Sequence, residues 1–185
     1  MAGEWSLPPV PPLRKPGVGR QNVLKIKTKD LALTTIYAAL YAALVFAFAP
    51  ISYGPLQFRI AGALRPGIAK KWILAVGYAI GVVIGNLFTP FPLYYELLFM
   101  PIMSLIAGLI GYLVAKPFKN NYLIAGAVVA TIISISVSWM LSQPLVLNLP
   151  MIVTLPYLFV AEQIVCLIGA VVFRLIETRF KWWQA

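Results

Sequence analysis

Between Leu31 and Phe173 the chain is almost continuously apolar, and what matters is where and how the apolar runs break. Five stretches, Leu31–Ala49, Trp72–Phe88, Tyr94–Ala115, Tyr122–Leu141 and Leu149–Phe173, meet or approach the roughly 20 apolar residues a spanning helix needs. The breaks at Pro50–Gln57, Thr89–Leu93 and Ser142–Pro150 carry no charge. The other breaks hold Lys70 and Lys71, then Lys116 and Lys119. Arg174, Arg179 and Lys181 follow the last run, and Arg14, Lys15, Arg20, Lys25, Lys27 and Lys29 precede the first.

Loops that stay in the cytoplasm retain Lys and Arg, so this alternation is an orientation signal. Five crossings from an inside N-terminus would put Lys70 and Lys71 outside and invert every later basic break. A further crossing by residues 57–69 removes the conflict. The pattern therefore predicts an all-α integral membrane protein, a six-helix bundle (31–49, 57–69, 72–88, 94–115, 122–141, 149–173) with both termini cytoplasmic. The membrane domain covers residues 31–175, between a basic Pro-rich tail (1–30) and a short cytoplasmic tail (176–185). The second span is about a dozen residues, holds Arg59 and Arg65, and is interrupted by Pro66-Gly67. A short or broken helix is tolerated in a membrane where protein or a watery cavity covers its free backbone groups. Its expected place is inside the bundle.

Composition sharpens this reading. The 185 residues are 61% hydrophobic with mean hydropathy +0.88, as expected of one multi-pass domain in a cell membrane. A formal charge of +10 would suggest nucleic acid in a soluble protein. Here it is loop charge facing an anionic leaflet, and no basic-aromatic surface supports a nucleic-acid partner. Residues 1–30 lack the apolar core of a signal peptide. The chain has no His and a single Cys166, which removes Cys/His metal spacing, Ser-His and Cys-His pairs and any intrachain disulfide. No Walker A loop is present, so ATP hydrolysis by this chain is excluded. No catalytic residue, metal or cofactor is expected.

Small residues recur every four positions: Gly77, Gly81 and Gly85 on the third span, and Gly126, Ala130, Ser134 and Ser138 on the fifth. Ala38/Ala42 and Ala39/Ala43 pair on the first. Such ridges let helix backbones approach closely where lipid supplies no hydrophobic driving force. For the third and fifth spans the expectation is internal packing. The alanines of the first serve equally for packing or for a separate membrane subunit.

Arg59, Arg65, Glu96 and Glu162 are the ionisable residues inside the apolar region. Each costs at least ~2.5 kcal/mol near a helix centre, which makes each a functional hypothesis. Arg59, Glu96 and Asn86 fall at the outer ends of their spans, in the company of Tyr53, Tyr94, Tyr95 and Trp139. Carboxylate and amide groups fix the edge of a flat ligand and aromatic rings cover its faces, so a small planar hydrogen-bonding molecule is the expected ligand. An interfacial aromatic belt is the alternative for the rings, and an Arg59–Glu96 ion pair is the alternative for Glu96. Glu162 divides between ligand and structure, and Arg65 is expected to be structural, pairing with a carboxylate or reaching toward the inner face.

The string Ala49-Pro50-Ile51-Ser52-Tyr53-Gly54-Pro55-Leu56-Gln57-Phe58-Arg59-Ile60 resembles the signature of the QueT family. These are substrate-binding (S) components of energy-coupling factor (ECF) transporters, linked to uptake of queuosine precursors. The likeness continues through Ala63-Leu64, Gly85-Asn86 and Glu96. Gly62 departs from it, standing where the family usually has an acid. The resemblance implies a six-helix protein that captures a 7-deazaguanine at the outer face and works with a transmembrane coupling protein and two cytoplasmic ATPases. It implies an edge-binding role for Glu96 or Glu162, helped by Asn86 and Gln57, with Tyr94 or Tyr95 stacking and Tyr53–Phe58 as a lid. Ala38, Ala39, Ala42 and Ala43 become the expected contact with the coupling protein. The alternatives are an S component for another vitamin or nucleobase-like ligand, or a scaffold subunit with no transport role.

Overall fold

The computed structural model describes residues 27–52 and 59–184, and among these every regular element is helical. The α-helices are α1 (Thr28–Ala47), the single turn α2 (Ala49–Ser52), α3 (Ile73–Gly85), α4 (Met100–Ala115), α5 (Tyr122–Leu141) and α6 (Met151–Arg179). A 3-10 helix spans Ile60–Lys70, and a π-helical stretch, Tyr95–Phe99, leads into α4. Four helical stretches, Thr28–Ala47, Tyr95–Phe118, Tyr122–Leu141 and Met151–Arg179, are long and apolar enough to cross a membrane.

The main helices pack in chain order, α1 on α3, α3 on α4, α4 on α5 and α5 on α6, and the 3-10 helix contacts all five. The interior position expected for the short second span is thus where Ile60–Lys70 lies. At ~2.0 Å rise per residue, 11 residues in this form reach about 22 Å, against about 17 Å as an α-helix. Pro66 brings no N–H and suits a segment whose ladder is already irregular. Ala61, Gly62, Pro66, Gly67, Ile68 and Ala69 are all buried.

Close approach to this helix depends on missing side chains around it. A Cβ on Gly67 would meet the Phe173 ring at 2.8 Å, and one on Gly126 would meet Pro66 at 2.9 Å. One on Gly169 of α6 would overlap the carbonyl of Ala63. The predicted ridge on α3 packs against α1: Gly77 faces the Thr34 carbonyl, Gly81 faces Tyr41 and the Ala38 carbonyl, and Gly85 faces Val45. On α5, Ser138 and Thr154 of α6 share a hydrogen bond of 2.6 Å, and Ser134 donates to the Ala130 carbonyl at 2.7 Å.

Two lengths differ from the sequence expectation. The third span is a helix of only 13 residues, about 20 Å, because the chain turns at Asn86. The sixth extends to Arg179, giving 29 residues and about 44 Å with Pro156 inside. The added turns of α6 carry Glu177 to Lys70 at the end of the 3-10 helix, a pair at 3.0 Å. Lys71 pairs with Asp30 at the start of α1. Lys70 also lies 4.5 Å from the Tyr122 ring and 4.7 Å from that of Trp183. The basic breaks at residues 27–30, 70–71, 116–122 and 174–183 thus gather at one end of the bundle.

Candidate functional site

The opposite end holds the buried polar groups. Arg59, at the N-terminal boundary of the 3-10 helix, is 2% exposed; Asn86 and Glu96 are fully buried. An Arg59 Nη donates to the Glu96 carboxylate at 3.3 Å. Asn86, which ends α3, donates through Nδ2 to the same carboxylate and to the Glu96 carbonyl at 3.3 Å. One acid therefore joins the start of the 3-10 helix, 37 positions away, to the end of α3, 10 positions away.

Local backbone aims each group. Pro101 lacks the N–H that would bond back to Leu97, so the preceding turn widens, and the Met100 N–H reaches the Tyr95 carbonyl five residues back. Glu96 sits in this widened turn and points inward, whereas its neighbour Tyr94 is 50% exposed. Among the described residues, two polar atoms of the cluster, Arg59 Nε and Asn86 Oδ1, are buried with no hydrogen-bond partner. Tyr41 of α1, whose hydroxyl is also unpartnered, lies within electrostatic range of Arg59. Such orphans are uncommon in folded proteins and call for an explanation.

The second ion pair lies deeper. Arg65 comes six residues after Arg59, inside the 3-10 helix that Arg59 precedes. It pairs with Glu162 of α6 and donates through Nε to the Tyr78 hydroxyl at 2.9 Å. A Cβ on Gly62 would come within 2.9 Å of an Arg65 Nη and 3.3 Å of a Glu162 oxygen. The space for a side chain at 62 is taken up by this pair, and Glu162 brings a carboxylate to the place where the family acid would stand.

The predicted site residues thus fall into groups. Arg59, Asn86 and Glu96 come together, and Glu162 joins Arg65 instead. Tyr94, Tyr95, Phe99 and Trp139 form a ladder of rings, with Tyr94–Tyr95 centroids 4.3 Å apart and Phe99–Trp139 centroids 4.8 Å apart. Trp139 is 42% exposed, consistent with the aromatic-belt alternative for its outer edge. Tyr53 and Gln57 lie outside the described residues. Ala38 and Ala42 are buried beside α3, so only Ala39 and Ala43 of the four alanines face outward. Tyr41 escaped the sequence reading because an aromatic in an apolar run looks like core.

The QueT transporter family model matches residues 31–178 of the 185. The chain is similar to "Queuosine precursor transporter QueT" of Lactococcus lactis subsp. cremoris (strain MG1363), 35% identical over 102 residues. That alignment covers 53% of this chain and 58% of the relative's own length. No solved structure matches it. The family is one of transporters and not of enzymes, and four membrane-competent helices make the chain a multi-pass membrane protein. From its apolar helices to the acid that opens the fourth of its predicted spans, the chain belongs to the QueT transporter family.

Proposed function

We propose that this protein is the substrate-binding component of an ECF-type importer and captures a queuosine precursor of the 7-deazaguanine type at the outer face. The observation that carries this reading is the buried Glu96–Arg59–Asn86 cluster with its unpartnered Arg59 Nε and Asn86 Oδ1, in a chain of this family. A 7-deazaguanine edge presents adjacent N–H donors and a carbonyl acceptor. Glu96 accepts the donors, Arg59 donates through Nε to the carbonyl, and the Asn86 Oδ1 atom accepts a further N–H. Charge-assisted bonds of this kind are about twice as strong as neutral ones. Glu162, engaged by Arg65, serves the fold.

The chain crosses the membrane six times in this reading, with the 3-10 helix and the short α3 as its second and third crossings and both termini cytoplasmic. The clustering of Lys70, Lys71, Lys119 and Arg174 at one end supports that orientation. ATP is hydrolysed by two partner ATPases, reached through a transmembrane coupling protein. The surface for that protein centres on α1. Its exposed Ala39 lines an apolar groove of about 330 Å³ shared with α3, and a second groove, of about 390 Å³, separates α1 from α6.

The test is direct binding by the purified protein, followed by melting temperature and tryptophan fluorescence, to 7-deazaguanines, guanine and common vitamins. A ligand at ~100 Kd stabilises by about 2.7 kcal/mol. Selective binding of a 7-deazaguanine is the expected result. Binding of a different vitamin or nucleobase keeps the importer and replaces its cargo, and no binding across the panel overturns the reading.

A further inference from the structure

The basic end of the bundle carries a cavity with unanswered charge. Where α5 begins beside α6, a cavity of about 240 Å³ is lined by Lys70, Lys119, Asn120, Arg174 and Glu177, among others. Glu177 is already neutralised by Lys70 at 3.0 Å. Lys119 and Arg174 have no acidic partner among the described residues, so the cavity keeps two unanswered positive charges. Lys119 and Asn120 both adopt left-handed backbone conformations, with φ of 56° and 53°, in the tight turn that brings them before α5. The Asn120 Oδ1 atom is buried without a hydrogen-bond partner. The first turn of α5 adds the positive end of its dipole.

A second cavity of about 240 Å³ continues the first along the α5–α6 seam, with Leu123 lining both. Its other walls are Ala127, Cys166 and Leu167, and it ends at Gln163, which ties α6 to α5 through the Ala127 carbonyl at 3.2 Å and the Thr131 hydroxyl at 3.0 Å. From Arg174 to Gln163 the seam is about 16 Å long. A basic pocket at the membrane surface, opening into an apolar groove toward the membrane centre, matches one kind of molecule.

We infer that the pocket and groove bind an anionic glycerophospholipid, its phosphate held by Lys119 and Arg174 and one acyl chain laid between α5 and α6. Basic pockets between membrane helices recognise anionic headgroups by this chemistry. A headgroup hydroxyl, as in phosphatidylglycerol, supplies the donor that Asn120 Oδ1 lacks.

The test uses the purified full chain with dioleoyl phosphatidylglycerol, dioleoyl phosphatidylcholine or inorganic phosphate, read by lipid retention in native mass spectrometry and by melting temperature. Phosphatidylglycerol should be retained over phosphatidylcholine by at least about fivefold, and Lys119→Gln or Arg174→Gln should each cut that preference about fivefold. Ala127→Phe, which fills the groove and leaves the charges alone, should lower retention of phosphatidylglycerol. Lys119 is exposed and lies between helices, so its variant tests the pocket even if Ala127→Phe disturbs folding. Equal retention of the two lipids overturns the inference. So does stabilisation by inorganic phosphate as large as that by phosphatidylglycerol, which would reduce the site to a free-anion pocket.

Discussion

Arg59, just before the 3-10 helix, and Arg65, inside it, stand six residues apart, and each meets a carboxylate from a different helical segment, Glu96 before α4 and Glu162 on α6. The two pairs look alike, but their surroundings separate them. Arg65 has its Nε satisfied by Tyr78, whereas the Arg59 Nε and the Asn86 oxygen have no partner among the described residues.

Removing either member of the inner pair should therefore be a stability effect. Arg65→Met or Glu162→Gln alone leaves a buried charge unanswered and should cost about 3–5 kcal/mol. Arg65→Met combined with Glu162→Gln should recover much of that loss. Melting of the four proteins in one detergent checks the cycle; additive losses would show that the pair is not coupled.

The outer pair should behave differently. Glu96→Gln leaves Arg59 buried without its carboxylate and should lower the melting temperature. Adding Arg59→Gln should restore stability, while 7-deazaguanine binding stays at least about tenfold weaker, a difference of ~1.4 kcal/mol. Binding that returns together with stability would remove Glu96 from the ligand site.

On α1, neighbouring alanines should separate folding from assembly. Ala38→Phe and Ala42→Phe intrude on α3 and should destabilise by at least about 1–3 kcal/mol. Ala39→Phe and Ala43→Phe, on the outward side, should melt like the parent yet lose co-purification with the coupling protein. Undiminished co-purification would move the partner surface away from α1.

Gly169→Ala tests the seating of the 3-10 helix. A methyl group there would overlap the Ala63 carbonyl, a backbone atom with no rotamer to change. The variant should melt markedly lower than Gly126→Ala, whose new methyl meets the ring of Pro66 and the Cys166 side chain and no backbone atom.

Much of this was legible in the chain. The charge-free and basic breaks marked which segments end together, and Pro66-Gly67 with two arginines marked a segment that had to be enclosed. The four-residue glycine spacing of α3 named its packing face. The Arg59–Glu96 pair was one of two readings of Glu96, because both residues fall at outer span ends; that the carboxylate Arg65 meets is Glu162, 97 positions away, was not legible, since local pattern carries no information over that separation. The inward aim of Glu96 depends on the widened turn before Pro101, whose effect on a neighbouring turn does not show in hydrophobic periodicity. The four alanines of α1 have one chemistry, so only the position of α3 divides them.

The unequal lengths of α3 and α6 bear on the bilayer itself. Both helices present apolar side chains outward, Ile80 and Ile84 on the short one, Ile164, Leu167 and Ile168 on the long one. In the proposed topology α3 is short for a hydrocarbon layer about 30 Å thick, so lipids thin beside it, whereas the apolar part of α6, residues 151–173, reaches about 35 Å and fits by tilting. The mismatch at α3 makes local bilayer thickness part of the energy of the embedded protein.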